Sequence, residues 1–299
     1  MMNTVKFDRA TLVGYIAGII TGVTYGLNPL FAMPLMNAGA PVENILFFRY
    51  GLSVLILGCW LLAKHESFRV SGKQLVRLLI LGACFTMSSL FLFEAYRLIP
   101  SGMATTIVFL YPVLVALIMV FMRVYPTWQV WFSIILTFIG VFVLSRNDGT
   151  HVIQTKGIVI AAASALAYAM FIVIVNRSKA IRKVSNTLLT FYALIVGTIV
   201  FMVKALAGGH SLLLGISGFS AWGNLLGLAV LPTIVSTATL ALATRKIGAA
   251  KASVLGVFEP ITAILVGALA FGEPVTMNVL IGIGLTMAAV TFMIVSSNK

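Results

Sequence analysis

The sequence predicts an all-α integral membrane protein, ten transmembrane helices arranged as two inverted five-helix repeats. Three observations carry this prediction. Of the 299 residues, 61% are hydrophobic and only 9% charged, against roughly a quarter charged in an ordinary soluble domain. The apolar residues fall in runs of about 20, the length that a helix rising ~1.5 Å per residue needs to cross a hydrocarbon core. The basic residues gather in the short gaps between those runs, and the mean hydropathy is +1.10. Barrel strands would be about half as long and would alternate polar with apolar positions.

Span one, 11–33, follows Lys6 and Arg9. It has the polarity of a signal peptide but is longer than a usual apolar core and lacks a small-x-small cleavage site, so it reads as retained. Gly14, Gly18, Gly22 and Gly26 form a strip at spacing four that admits another backbone closely, within the chain or in a dimer. Span two, 43–63, carries Arg49. Span three, 74–96, joins span four, 101–121, through the tight gap 97–100 and makes a hairpin with it. Spans five, 128–146, and six, 157–176, complete the middle of the chain. Span seven is 186–205 and span eight, 219–244, contains Ser236, Thr237 and Thr239. Span nine, 251–271, contains Glu259 and Pro260, and span ten is 276–296.

There are 20 Lys and Arg against 7 Asp and Glu, a net charge of +13. In a soluble chain that balance would suggest nucleic acid, but no basic face is visible and the charges read as topology. With the N-terminus inside, the inner gaps collect Lys6, Arg9, Lys64, Arg69, Lys73, Arg77, Arg123, Arg177, Lys179, Arg182, Lys183, Arg245, Lys246, Lys251 and Lys299, 15 of the 20. The outer gaps hold Arg97, Arg146, Lys156 and Lys204, so both termini are expected in the cytoplasm.

Sliding the chain by 148 aligns Arg97 with Arg245, Ile99 with Ile247, Ala104 with Ala252, Pro112 with Pro260, Leu117 with Leu265 and Pro126 with Pro274. Upstream the register is 143, pairing Gly14 with Gly157 and Tyr25 with Tyr168. Two units follow, 11–146 and 157–296. Five spans per unit, an odd number, insert the second copy upside down relative to the first. The charges agree: the gap after span two is basic, whereas its counterpart, 206–218, has no Lys or Arg. Inverted repeats give a transporter two mirror-related conformations around a midplane site.

The stretches around the paired prolines resemble a known family. Val257-Phe258-Glu259-Pro260-Ile261-Thr262-Ala263, running to Phe271-Gly272-Glu273-Pro274 and then a span with Gly282 and Gly284, looks like the end of an EamA-type domain of the drug/metabolite transporter superfamily. Phe109-Leu110-Tyr111-Pro112-Val113-Leu114-Val115-Ala116 resembles the same stretch in the first half. The resemblance covers nearly the whole chain and implies a ten-helix secondary carrier of the inner membrane, most often an exporter of amino acids, metabolites or drugs. It also implies a central cavity lined by spans one to four and six to nine, with spans five and ten peripheral. Where the family often has Gly-Glu before the second proline, the first half has Arg123-Val124-Tyr125, so a role for that carboxylate falls on Glu273 alone.

Ionisable groups at membrane depth are functional candidates by default, since each costs ~2.5 to 3.5 kcal/mol to insert. Arg49 and Glu94 both fall in the outer half and can pair; alternatively each snorkels, or Arg49 holds a substrate carboxylate. Glu259 lies near the middle of span nine. There a desolvated carboxylate admits proton coupling, and hydrogen bonding to backbone freed by Pro260 is the rival reading. Tyr25, Asn28, Tyr111, Tyr168 and Ser236 are further candidates for the cavity, and Pro112 and Pro260 for hinges or kinks. Packing and back-bonding are the bland readings of the same tyrosines and hydroxyls.

Other chemistries have less support. Cys59 and Cys84 lie in apolar runs as small hydrophobes, and His65, His151 and His210 lie apart in gaps, so no metal or other cofactor is expected. Gly215-Ile216-Ser217-Gly218 with His210 spells a short serine-hydrolase-like motif in a gap, without a base on a separate span. Ser71-Gly72-Lys73-Gln74 lacks the glycine and hydroxyl of a phosphate loop, so ATP-driven transport is not expected. A channel is the closer rival to a carrier. The expected partners are a small-molecule substrate, the lipid bilayer and, as one coupling ion, protons. No nucleic acid is expected, and the chain reads as a monomer or a homodimer.

Overall fold

The computed structural model describes residues 9–123, 128–144, 154–209, 211–247, 252 and 255–296. Lys6, Pro126, Arg146, His151, His210, Lys251 and Lys299 of the sequence reading lie outside them. Helices account for nearly all of the regular structure, and there is no strand among the described residues. In chain order they are α1 (Arg9–Gly26), α2 (Asn28–Asn37), α3 (Val42–Ala63), α4 (Gly72–Tyr96), α5 (Ser101–Val108), α6 (Tyr111–Phe121) and α7 (Trp128–Leu144), then α8 (Thr155–Arg177) and α9 (Asn186–Ala207). The C-terminal part holds α10 (Gly218–Leu228), a π-helical segment (Ala229–Val235), α11 (Ser236–Ile247), α12 (Phe258–Phe271) and α13 (Met277–Ser296).

Seven helical stretches are long and apolar enough to cross a membrane: Arg9–Asn37, Val42–Ala63, Gly72–Tyr96, Ser101–Phe121, Thr155–Val175, Asn186–Ala207 and Gly218–Ile247. Shorter apolar helices run over Trp128–Val143, Phe258–Phe271 and Met277–Phe292. This is a multi-pass membrane protein, turned inside out relative to a soluble one. Leu55, Trp60, Ile135, Phe138 and Leu280 are exposed, whereas Arg49, Ser53, Thr86, Ser89, Thr106 and Ser164 are buried. Apolar side chains face lipid at no penalty, and hydroxyls and charges turn inward to find partners.

Three of the long stretches are interrupted. Span one breaks at Leu27, ahead of Asn28 and Pro29. Span four breaks at Phe109 and Leu110, ahead of Pro112. Span eight changes to π-helical winding around Pro232. A further turn at Gly256 and Val257 precedes α12, where Pro260 is the third residue. The cause is shared: proline has no N–H to give and its ring crowds the carbonyl one turn back, so the helix opens there.

α4 packs on α8 and α9, α3 on α9, α1 on α11 and α12, and α5 on α12, while α7 and α13 pack mainly on each other at one flank. The glycine strip of α1 is used inside the chain. A Cβ at Gly14 would fall 2.6 Å from Ile247 Cγ2, and one at Gly26 would fall 2.5 Å from the Glu259 carbonyl oxygen. Glycine there lets α1 touch the backbone of α12. At the far end of the molecule, Lys204 pairs with Glu43 at 3.7 Å, and Asn44 Nδ2 donates to the Ser211 carbonyl at 2.9 Å.

Candidate functional site

The interruptions place polar groups together. Arg49 on α3 is 2% exposed, and its Nε–H donates to Thr233 Oγ1 at 3.0 Å. Thr233 in turn donates to the Leu228 carbonyl at 2.9 Å, a group that Pro232, four residues on, has no N–H to meet. Ser53 Oγ donates to the Arg49 carbonyl at 2.8 Å and also lies 3.2 Å from the Ala229 carbonyl, clamping α3 to the π segment. The guanidinium carbon stands 5.8 Å from the Tyr50 ring centroid and 5.5 Å from that of Phe93, within cation–π range. Tyr50 donates its hydroxyl to Ser89. Among the described residues no carboxylate pairs with Arg49.

On the α1 side, Asn28 Nδ2 donates to the Tyr25 carbonyl at 2.8 Å, the acceptor released at Pro29. Asn28 Oδ1 is buried and meets no donor among the described residues. Tyr111 opens α6, and its ring lies edge-on to Tyr168 of α8 with centroids 4.8 Å apart; Tyr168 stacks on Phe171 at 6.0 Å. Glu259 occupies the first turn of α12, and its backbone N–H donates to the Gly256 carbonyl at 2.9 Å. Tyr25, Tyr96, Tyr111 and Tyr168 all lie within electrostatic reach of Glu259, and Tyr25 and Tyr96 within reach of Arg49.

The structure thus groups Tyr25, Tyr111 and Tyr168 about Glu259, and Tyr25 links this group to Arg49; together they form a polar centre with Asn28 at its α1 edge. It separates the other candidates from it. Glu94 turns to Arg97 of its own helix end at 3.4 Å, with the two side chains 29% and 61% exposed, so the expected Arg49–Glu94 pair does not form. A pair that wet contributes at most ~1 kcal/mol. Ser236 Oγ donates to the Thr21 carbonyl at 3.4 Å, Thr239 meets Thr21 Oγ1 at 2.8 Å, and Thr237 back-bonds to Thr233. These hydroxyls join α11 to α1 or to their own helix.

One group escaped the sequence reading and another was named without its partners. Thr233 is the partner of Arg49, and the signal available for it was the Leu-Pro-Thr of 231–233 inside an apolar span. Glu273 was placed, but not its partners: its carboxylate accepts the Ser101 N–H at 2.8 Å and the Gly102 N–H at 3.4 Å, capping α5. Gly272, at φ 64°, turns the chain to deliver it. Among the described residues no three His, Cys, Asp or Glu side chains gather to hold a metal ion.

Two segments, 12–146 and 155–295, match the model of the EamA-like transporter family. The chain belongs to the EamA-like transporter family. An uncharacterized transporter of Archaeoglobus fulgidus is 32% identical over 136 residues, which span 46% of this chain and 47% of that protein. A second uncharacterized transporter of the same organism is 23% identical over 281 residues, 90% of this chain and 91% of its own length. A solved crystal structure shares the fold with a TM-score of 0.64 at 18% identity, covering 95% of each chain. Membership makes the protein a membrane transporter of the EamA type, and the polar centre belongs to that context.

Proposed function

We propose that this EamA-type protein is a secondary carrier, not driven by ATP, that works by alternating access in the inner membrane. It has ten spans in two inverted units, 11–146 and 157–296, with both termini in the cytoplasm. The units rock around the polar centre and open it to one side at a time. The single observation that carries the reading is a buried Arg49 seated on the interrupted span eight through Thr233, which no described carboxylate neutralises. Broken helices are tolerated at membrane depth where their freed groups face protein or cargo.

In this reading Arg49 receives an anionic group of the substrate through its guanidinium fork, and Tyr25, Tyr111 and Tyr168 supply aromatic walls. Asn28 Oδ1 offers an acceptor, Glu259 carries a coupling proton, and Pro112 and Pro260 mark the hinges. Amino acids, metabolites or drugs are the cargo, moved outward. Reciprocal contacts support the repeat. Gly14 abuts Lys246 and Ile247, and Gly157, its counterpart, abuts Leu98 and Ile99, theirs. Ser236 meets Thr21, and Ser88 meets Ser164 at the same two registers.

Counterflow in proteoliposomes tests the reading. A carrier exchanges labelled for unlabelled substrate with saturation, and exchange that never saturates would make the protein a channel. Orientation is checked with Ala38→Cys in a chain freed of Cys59 and Cys84. Labelling from outside is expected, and labelling only from the cytoplasm reverses the topology.

A further inference from the structure

An open groove of about 760 Å³ lies between the first turns of α4 and the turn that follows α8, away from the polar centre. Lys73 and Arg77 line it from α4, and Arg177 and Lys179 from the other side. Among the described residues none of the four cations forms an ion pair. Among the described residues Arg177 Nη2 meets only a weak acceptor, Met119 Sδ, at 3.4 Å. Glu66, on the loop before α4, accepts the Ser185 hydroxyl at 3.1 Å and does not line the groove. Four cations lining one groove repel one another, and an anion among them relieves that repulsion.

The groove is two-sided along α4. Val76 and Ile80 stand one turn beyond Lys73 and Arg77, line the same groove, and are 57% and 42% exposed. They continue the lipid-facing surface that Leu75 and Leu79 also present. Over two turns the α4 wall runs Lys73, Val76, Arg77, Ile80, so cations and apolar side chains stand side by side, as at a membrane interface in which headgroups lie beside the cations and acyl chains beside the valine and isoleucine. A free inorganic anion would use only half of such a surface.

We propose that this groove binds an anionic phospholipid, its phosphate held by Lys73, Arg77, Arg177 and Lys179 and its chains laid along Val76 and Ile80. The lipid spans α4 and the end of α8, elements from the two family-matched segments, and so clamps them together. The inference needs only a membrane-embedded chain and stands apart from the transport reading.

Thermal unfolding of the purified full-length protein in neutral detergent tests it, with phosphatidylglycerol, phosphatidylcholine and inorganic phosphate titrated separately. A ligand that binds the folded state raises Tm in a saturable way. Phosphatidylglycerol alone is expected to do so. Each cation near an anionic headgroup is worth about fivefold in affinity, so the double variant Arg77→Gln/Arg177→Gln shifts the titration midpoint about 30-fold higher. Arg97→Gln, at the opposite end of α4, leaves the midpoint in place. If the double variant does not unfold cooperatively, Lys179→Gln alone replaces it, with about a fivefold shift expected. An equal Tm rise with phosphatidylcholine, an equal rise with inorganic phosphate, or an unmoved midpoint in the variants overturns the proposal.

Discussion

The flank formed by α7 and α13 and the centre around Arg49 are both built from apolar sequence, yet they differ in what interrupts them. α7 and α13 run without an internal proline, and they cross where a Cβ on Gly140 would fall 2.5 Å from Thr286 Oγ1. Thr286 satisfies itself by donating to the Gly282 carbonyl at 2.7 Å. Ile135 and Phe138 face outward. In the centre, prolines 29, 112, 232 and 260 have no N–H for the carbonyl one turn back, and at two of them a polar side chain meets the freed group: Asn28 for Tyr25, Thr233 for Leu228. An unbroken apolar helix needs nothing from its neighbours beyond packing. A broken one recruits polar side chains, and a transporter can use those that have donors or acceptors left over.

Four changes, one with its own control, would break or sharpen this contrast. The largest effect is expected from Arg49→Ala: with a charge-assisted contact to cargo worth ~1.5 to 3 kcal/mol, counterflow should fall about 10- to 100-fold at unchanged expression. Unchanged transport would remove Arg49 from the substrate path. Gly22→Val should be next. Its Cβ would fall 2.8 Å from Phe258 Cβ and 2.9 Å from the Leu255 carbonyl oxygen, and overpacking of this kind costs about 1 to 3 kcal/mol. A thermal scan should show a clear drop in Tm, whereas Gly284→Val on the flank, with open space around it, should show little.

Glu259→Gln is expected to spare counterflow while abolishing the gain from an imposed proton gradient, a coupling of ordinary size being about 5- to 150-fold. Gradient-driven uptake that persists in this variant would assign the proton elsewhere or nowhere. Smallest is Phe138→Ala: an exposed side chain on the flank should change stability within about 0.5 kcal/mol and leave counterflow as it was. A large effect there would show that the flank takes part in the rocking motion.

The helices themselves were legible in the sequence. The expected 43–63 and 186–205 are Val42–Ala63 and Asn186–Ala207, and 101–121 is Ser101–Phe121, because length and hydropathy alone fix where a chain can sit in lipid. Legible too were Tyr25, Arg49, Tyr111, Tyr168 and Glu259 as individual polar groups in apolar runs; that they share a substrate site is the proposal. The pairing of Arg49 was not. Glu94 looked like its partner by depth, but Glu94 sits where α4 ends and water reaches Arg97, so the local pair forms instead. The partner that does form, Thr233, lies 184 positions away, and no local pattern relates two such positions.

By itself the sequence determined that the chain crosses a bilayer many times, which polar residues stand out there, and two of the prolines, Pro112 and Pro260, beside which spans open. The reason is that the bilayer penalises any segment of the wrong length or polarity regardless of its neighbours. Only the tertiary structure decided which interruptions face one another, that α1 spends its glycines on α11 and α12, and that Arg49 leans on a π segment. These depend on helix rotation and close approach, set by packing many residues at once.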